Sequence, residues 1–523
     1  MHNVAATLCE RAQQHPHKVA VHEWHGGLLG GGYSSLSYGA LDRQSDHIAR
    51  GLGAIGIERG VRTVLMVPPG PDFFALAFGM AKAGVVPVLV DPGMGTTCLR
   101  QCLAEAAPEA FIGIPRAHAA RVLLGWGRAT ITTNVTVGGV GILGGHTLDE
   151  IRAIGQELRT PTLAPVTLEE TAAILFTSGS TGAPKGVVYT HRNFGEQVRS
   201  LRRISHLGAD EVNLATFPPF ALFDPALGMT TVVPPMDFAR PITANPRRLV
   251  DAIERFGVTN LFCSPALLGV LTRWLVRRDV MLPSLRRVIS AGAPVPRTLV
   301  DLLAARLSAT ARILVPYGAT EALPVSLIAN SELPSVGNCV GRAVPGVEIA
   351  VVAATDGVLT DVCPLPVGEV GEIVVRGDVV TRAYFRRPDS TALAKIVTSD
   401  GVWHRMGDSG QFDADGRLWF YGRKTERVVL SDRTLYPVPT EAHFEGVAGV
   451  RRVALVAVER NGTTQPVLCV ERGGDVDEAA LRSIGAPLGI VTFLFHPAFP
   501  VDTRHNAKIR RHELARWAKA QLA

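Results

Sequence analysis

Thr177-Ser178-Gly179-Ser180-Thr181-Gly182-Ala183-Pro184-Lys185-Gly186 stands between two apolar runs. Ala172-Ala173-Ile174-Leu175-Phe176 leads into it and Val187-Val188-Tyr189-Thr190-His191 follows, so the decapeptide is a loop between strands. Its glycines let backbone N–H groups turn toward one point, its hydroxyl residues add donors, and Lys185 adds a positive charge. Those are the parts of a polyphosphate cradle. A flexible Gly/Ser linker has no use for a Lys fixed between Pro and Gly directly ahead of a strand. The common P-loop needs Gly-Lys-Ser/Thr opening a helix, whereas here Lys185 is followed by Gly186 and Val187.

The chain has 523 residues, 47% hydrophobic and 19% charged, which is too long for one core and too apolar for disorder. A net charge of +6 without long Lys/Arg runs speaks against a nucleic-acid stripe and supports only mild attraction to anionic substrates. Seven scattered cysteines, without paired C-x-x-C clusters, fit a reduced cytoplasm better than a zinc or disulfide framework. The N-terminus does not read as a signal peptide and no apolar stretch is long enough to span a bilayer, so a soluble cytoplasmic protein is expected.

Strands and helices alternate from residue 4 onward: Lys18–Val21, Thr63–Val67 and Val85–Val90 read as strands, with helices after Ser37 and over 72–84. After the cradle come a helix at 192–204, strands near Leu214–Phe217, Asn260–Cys263 and Arg287–Ser290, and a helix over Pro246–Phe256. This alternation predicts an α/β fold with parallel sheets in the large N-terminal domain. From about 346 the texture changes to short β-runs with Gly turns, a β-rich subdomain. Gly422-Arg423-Lys424 marks the boundary between a domain of residues 1–422 and a small, mobile α+β domain of residues 423–523.

Tyr317-Gly318-Ala319-Thr320-Glu321 follows the strand Arg312–Val315, which puts an acid at the carboxyl end of a sheet strand, where α/β proteins bind ligands. Together with the cradle, this motif resembles the adenylate-forming superfamily of acyl-CoA synthetases, adenylation domains and luciferases. The resemblance implies ATP and Mg²⁺ as cofactors. It assigns Thr177, Ser178, Gly179, Ser180, Thr181, Gly182 and Lys185 to the phosphates, Glu321 to the metal and Thr320 with Tyr317 and Gly318 to the nucleotide. It places Gly292 and Ala293, in Ser290-Ala291-Gly292-Ala293-Pro294, against the adenine. It also gives Asp408, in Trp403-His404-Arg405-Met406-Gly407-Asp408, to the ribose hydroxyls and Arg423 to the nucleotide. Lys508, preceded by Ala507 where Gly is usual, is the implied catalytic cation between the acyl carboxylate and the α-phosphate.

Residues 217–230, 317–325 and 504–509 resemble more closely the bacterial β-lactone synthetases of long-chain olefin biosynthesis. That branch implies adenylation of a 2-alkyl-3-hydroxy fatty acid, a hydrophobic substrate whose own hydroxyl then displaces AMP, with assembly alongside other olefin-pathway enzymes. Ala221 stands where many acyl-CoA synthetases have His, Thr425 replaces an acidic hinge residue, and Asp432-Arg433-Thr434-Leu435-Tyr436 replaces a turn of the thioester site. A fatty acyl-CoA ligase is the alternative. His191 and His404 are the candidate bases for the hydroxyl proton, by proximity to the motifs.

Overall fold

The computed structural model describes residues 2–26, 31–141, 145–177, 184–335, 337–460, 462–501 and 509–522. Two sheets carry the first three-quarters of the chain. In the seven-stranded sheet, Arg62–Met66, Val86–Val90, Ala110–Gly113, Thr133–Thr136 and Thr171–Thr177 run parallel. Lys185–Thr190 closes its edge as an antiparallel partner of Thr171–Thr177, with Thr177 opposite Lys185 in register. The expected loop therefore spans a hairpin. Gly186 is needed there because a Cβ would lie 2.9 Å from the Phe176 ring.

The larger sheet has a parallel half and an antiparallel half. Thr230–Val233, Val212–Ala215, Asn260–Cys263, Arg287–Ser290 and Arg312–Ala319 run parallel. Arg312–Ala319 then folds back on Ala322–Ala329, and the ladder continues antiparallel through Cys339–Ala343, Leu418–Arg423, Gly401–Phe412, Gly371–Gly377 and Val347–Val352. The β-rich region after 346 is thus an extension of the parallel sheet. Tyr317–Ala319, expected just after the strand, belongs to the strand itself, because Tyr317 and Ala319 pair with Ser326 and Ala322. The C-terminal unit packs Val450–Arg460, Thr463–Arg472 and Thr492–His496 against the helices Glu478–Leu488 and Arg511–Leu522. No helix among the described residues is long and apolar enough to cross a membrane.

Helices cover the sheets through close contacts that sequence alone does not announce. Gly155 packs so near the helix Tyr38–Ala54 that a Cβ would meet the His47 carbonyl at 1.8 Å, and Gly51 of that helix is equally tight on Ile151. Lys82, fully buried, is neutralised by Asp42 and Asp46 at 2.6 Å each, which ties the helix Pro71–Ala83 to Tyr38–Ala54.

The Pro-rich stretch after Phe217 folds into two short helices, Pro218–Ala221 and Phe223–Leu227. Asp224 anchors the second to the sheet: Asn213 and Thr231 donate to its Oδ2 at 2.7 and 3.0 Å. Only 4% of Asp224 is exposed and no cation compensates it in that pair of bonds, so burial pushes its carboxyl up to about 7. The folded state therefore keeps a proton that the unfolded chain loses near pH 4, and stability from this group falls as pH rises from about 4 to about 7. Asp224→Asn should abolish that decline. Thermal melts at pH 5 and pH 8 should show the variant gaining on wild type by an amount on the order of a few kcal/mol; a gain independent of pH would disprove the assignment.

Candidate active site

Three side chains predicted as nucleotide contacts meet at the junction of the two halves of the large sheet. Asp408, on Gly401–Phe412, faces Arg423, on Leu418–Arg423, as a register partner. Arg423 Nη1 donates to Asp408 Oδ1 at 2.9 Å and to the Met406 carbonyl at 3.1 Å. Tyr317 Oη donates to Asp408 Oδ2 at 2.6 Å. Burial and the Asp408 charge push the Tyr317 phenol far up, and the Asp408 charge raises Arg423, so Tyr317 stays a neutral donor and Arg423 a cation. Arg423 is thus the last residue of a strand and is held by it.

A second cluster surrounds Glu321, in the tight turn Thr320–Glu321 between antiparallel strands. Tyr384 Oη donates to Glu321 Oε1 at 2.8 Å, and the Lys185 ammonium lies over the Tyr384 ring, 4.9 Å from its centre. Tyr189 Oη donates to the Thr320 carbonyl at 2.5 Å. Thr381 holds the Glu321 carbonyl through its N–H at 2.8 Å and its hydroxyl at 3.0 Å. Beneath Thr381 lies Lys395, 5% exposed, whose ammonium donates to the Thr381 carbonyl. Burial lowers Lys395 to about 7 against the opposing pull of the Glu321 charge.

Gly292 and Ala293 follow the strand Arg287–Ser290, whose parallel neighbour carries Tyr317, so both motifs leave the same edge of the sheet. Gly292 has φ +99°, a conformation an L side chain resists. On the same edge Phe217, Phe220 and Phe262 form an apolar wall, with Phe220 stacked on Phe262 at 4.0 Å between ring centres. Ala221, at the position of the missing His, is buried in the apolar core that the two sheets share.

The two histidines part company. His191 opens the helix His191–Ser205, accepts a bond from the Val4 N–H at 3.4 Å and is pushed down to about 4 by burial, packed against the N-terminal segment. His404 is buried opposite Lys395 in register, with Nδ1 3.2 Å from the Ala394 carbonyl. Burial and the charges of Lys395, Arg423 and Lys185 hold it well below the ordinary range, so it is a neutral imidazole. Ser178, Gly179, Ser180, Thr181, Gly182 and Lys508 lie outside the described residues, as does the side chain of Thr177.

Tyr384, Thr381 and Lys395 were not evident as site residues in the sequence. Tyr384 belongs to no local pattern that marks it. Lys395 carried a signal, a single charge ahead of the apolar Ile396-Val397 in a strand.

After Arg423 the chain leaves the sheet through two ionic anchors. Lys424 donates to Glu372 at 3.2 Å beside the buried Arg405–Glu372 pair, and Glu426 takes Arg511 at 3.1 Å. Arg511 also pairs with Glu441, which ties the start of the last helix to the segment just past the hinge.

The family model described as AMP-binding enzyme matches residues 8–385. The chain is 50% identical to an olefin beta-lactone synthetase of Stenotrophomonas maltophilia, over 99% of this chain and 98% of that one. It is 48% identical to the olefin beta-lactone synthetase of Xanthomonas campestris pv. campestris, with the same coverage. In fold it matches ATP-bound MatB from Rhodopseudomonas palustris with a TM-score of 0.83 over the whole of both chains, at 21% identity.

Lys395 provides a test of the second cluster. Its ordinary value is 10.5 and its folded value about 7, so between those limits the unfolded chain binds the extra proton and stability rises with pH. Lys395→Met removes the ammonium and with it this rise. Melts of the two proteins from pH 7 to pH 9.5 should show any advantage of the variant shrinking by an amount on the order of a few kcal/mol; parallel curves would mean that the ammonium is not desolvated.

Proposed function

Because the chain belongs to the AMP-binding enzyme family, we propose that it adenylates a 2-alkyl-3-hydroxy fatty acid with ATP and closes the product to a β-lactone. The observation that carries this reading is the 50% identity, end to end, with a protein named as an olefin beta-lactone synthetase. The Tyr317–Asp408–Arg423 cluster supports it from the structure.

In the first step a carboxylate oxygen of the acid attacks the α-phosphorus of ATP and pyrophosphate leaves. Asp408, steadied by Tyr317 and Arg423, accepts hydrogen bonds from the ribose diol without needing a proton of its own. Thr177 to Gly182 and Lys185 cradle the phosphates, and Gly292 and Ala293 lie against the base. Lys508 stands between carboxylate and α-phosphate, where two negative groups must approach one another.

Glu321 fits Mg²⁺ as a hard oxygen ligand. Among the described residues no group of three or more His, Cys, Asp or Glu could hold a metal alone. One carboxylate is what a Mg²⁺ arriving on polyphosphate requires, since phosphates and water complete its shell. When bound, the ion neutralises phosphate charge.

In the second step the substrate's 3-hydroxyl oxygen attacks the acyl carbon, the bond to AMP breaks, and the hydroxyl proton is released. The nucleophile is already attached, so no second substrate is captured and effective molarities on the order of 10⁵ M apply. The wall of Phe217, Phe220 and Phe262 offers an apolar surface to the alkyl chains and keeps water from the adenylate. We place the catalytic division at 1–422 and 423–523, the enzyme in the cytoplasm, and its association with the enzymes that make its acid and consume its lactone.

Two outcomes test the reading. Incubation with the hydroxy acid, ATP and Mg²⁺ should yield, with or without CoA, a product at the mass of substrate minus water, and a 3-deoxy acid should stop at the adenylate. A CoA thioester from the hydroxy acid, with no dehydrated product, would favour the fatty acyl-CoA ligase. Lys508→Ala should still fold and bind ATP but release pyrophosphate at least about 100-fold more slowly; wild-type release would remove Lys508 from the chemistry.

A further inference from the structure

Lys185 and Glu321 carry opposite charges in one site, yet they form no ion pair among the described residues. Between them stands Tyr384. Its ring face carries the Lys185 ammonium at 4.9 Å and its hydroxyl holds Glu321 Oε1 at 2.8 Å. A tyrosine suits both charges at once, since the π-face attracts cations and the O–H donates to anions.

The ring is not free to move aside. Phe385 N–H donates to the Gly186 carbonyl at 2.7 Å, Val188 N–H to the Ala383 carbonyl at 3.2 Å, and Tyr384 N–H to Thr391 Oγ1 at 3.1 Å. Tyr384 itself bridges to Val187 and packs with Ala173, Val187 and Tyr189, with 7% of its surface exposed. On the other side Thr381 and Val380 pair with Glu321 and Ala322.

We propose that Tyr384 is a positioning residue that keeps Lys185 and Glu321 from neutralising each other, so that both charges stay available to a metal–polyphosphate ligand. This rests on the reading of Lys185 as a phosphate contact and Glu321 as the metal ligand. Without the ring, a flexible ammonium and a carboxylate in a partly dry site would pair, and an incoming anion would have to break that pair. Tyr384 acts through the two charged groups and takes no part in bond making.

Titration calorimetry on the full-length protein with a non-hydrolysable ATP analogue, in EDTA and then with Mg²⁺, separates the possibilities. Lys185→Ala should weaken metal-free binding. Tyr384→Leu should weaken it about tenfold, as expected for an ion pair formed at the anion's expense, and adding Glu321→Gln to that variant should recover most of the loss. Tyr384→Phe, which keeps the ring, should bind the metal-free analogue within about twofold of wild type but lose about threefold of the Mg²⁺-dependent gain, because Glu321 loses its donor. Equal weakness of Tyr384→Leu with and without Glu321→Gln would make the ring a packing element and overturn the inference. Unchanged binding in Tyr384→Leu would also overturn it, and if that variant does not fold, an unchanged Mg²⁺-dependent gain in Tyr384→Phe does the same. Wild-type binding by both Lys185→Ala and Glu321→Gln, with and without Mg²⁺, would instead bring down the reading of the site.

Discussion

Backbone hydrogen bonds from residues 380–385 join the hairpin that carries Lys185 to the turn that carries Glu321. Gly186 and Val188 are bonded on one side, Glu321 and Ala322 on the other. The two motifs sit on different sheets, which share an apolar core through Leu65, Ile112 and Val135 of one and Ala215 and Val233 of the other. The strap adds a direct backbone link between the two motifs to that shared core, and a shift of one register there would move Lys185 relative to Glu321. Asn193 reinforces it from the following helix by donating to the carbonyls of Asp378 and Val380 at 2.9 and 3.1 Å.

The site concentrates buried charge, which is costly unless paired or used. Arg405 with Glu372, and Arg423 with Asp408, are paired. Lys395 is different: its amine donates to the carbonyl and hydroxyl of Thr381, and burial lowers its proton affinity. Lys395 lies behind Thr381, which holds the Glu321 carbonyl, and Lys185 lies over the Tyr384 ring, whose hydroxyl holds the Glu321 carboxylate. Burial, with the charges of Lys395, Arg423 and Lys185, leaves His404 neutral.

The departures from thioester-forming relatives also acquire a physical setting. Ala221 is sealed in the core beside an aromatic wall, so nothing polar from that position reaches the acyl group. An intramolecular nucleophile makes a second binding site unnecessary, and an apolar lining then serves better than a polar channel. Past the hinge, Glu426 and Glu441 are engaged by Arg511, which leaves the segment 432–436 in a short two-stranded ribbon with Val428–Val429.

The alternation of apolar runs with Gly and Pro turns was enough to determine an α/β fold and the strands on either side of the Gly/Ser-rich stretch, whereas the metal and ribose roles came only as what the family resemblance implies. Fold class and strands follow from local properties: strand periodicity and glycine freedom act within a few residues. The extent of the Tyr317–Ala319 strand and the end of the strand at Arg423 were not legible, because each is set by a partner far away in the chain, Ser326 and Ala322 for one and Asp408 for the other. The roles of Tyr384, Thr381 and Lys395 are of the same kind. A buried ammonium and a ring between two charges have meaning only once sheet pairing brings residues 185, 321, 384 and 395 to one place, and that pairing is a long-range interaction no local pattern encodes.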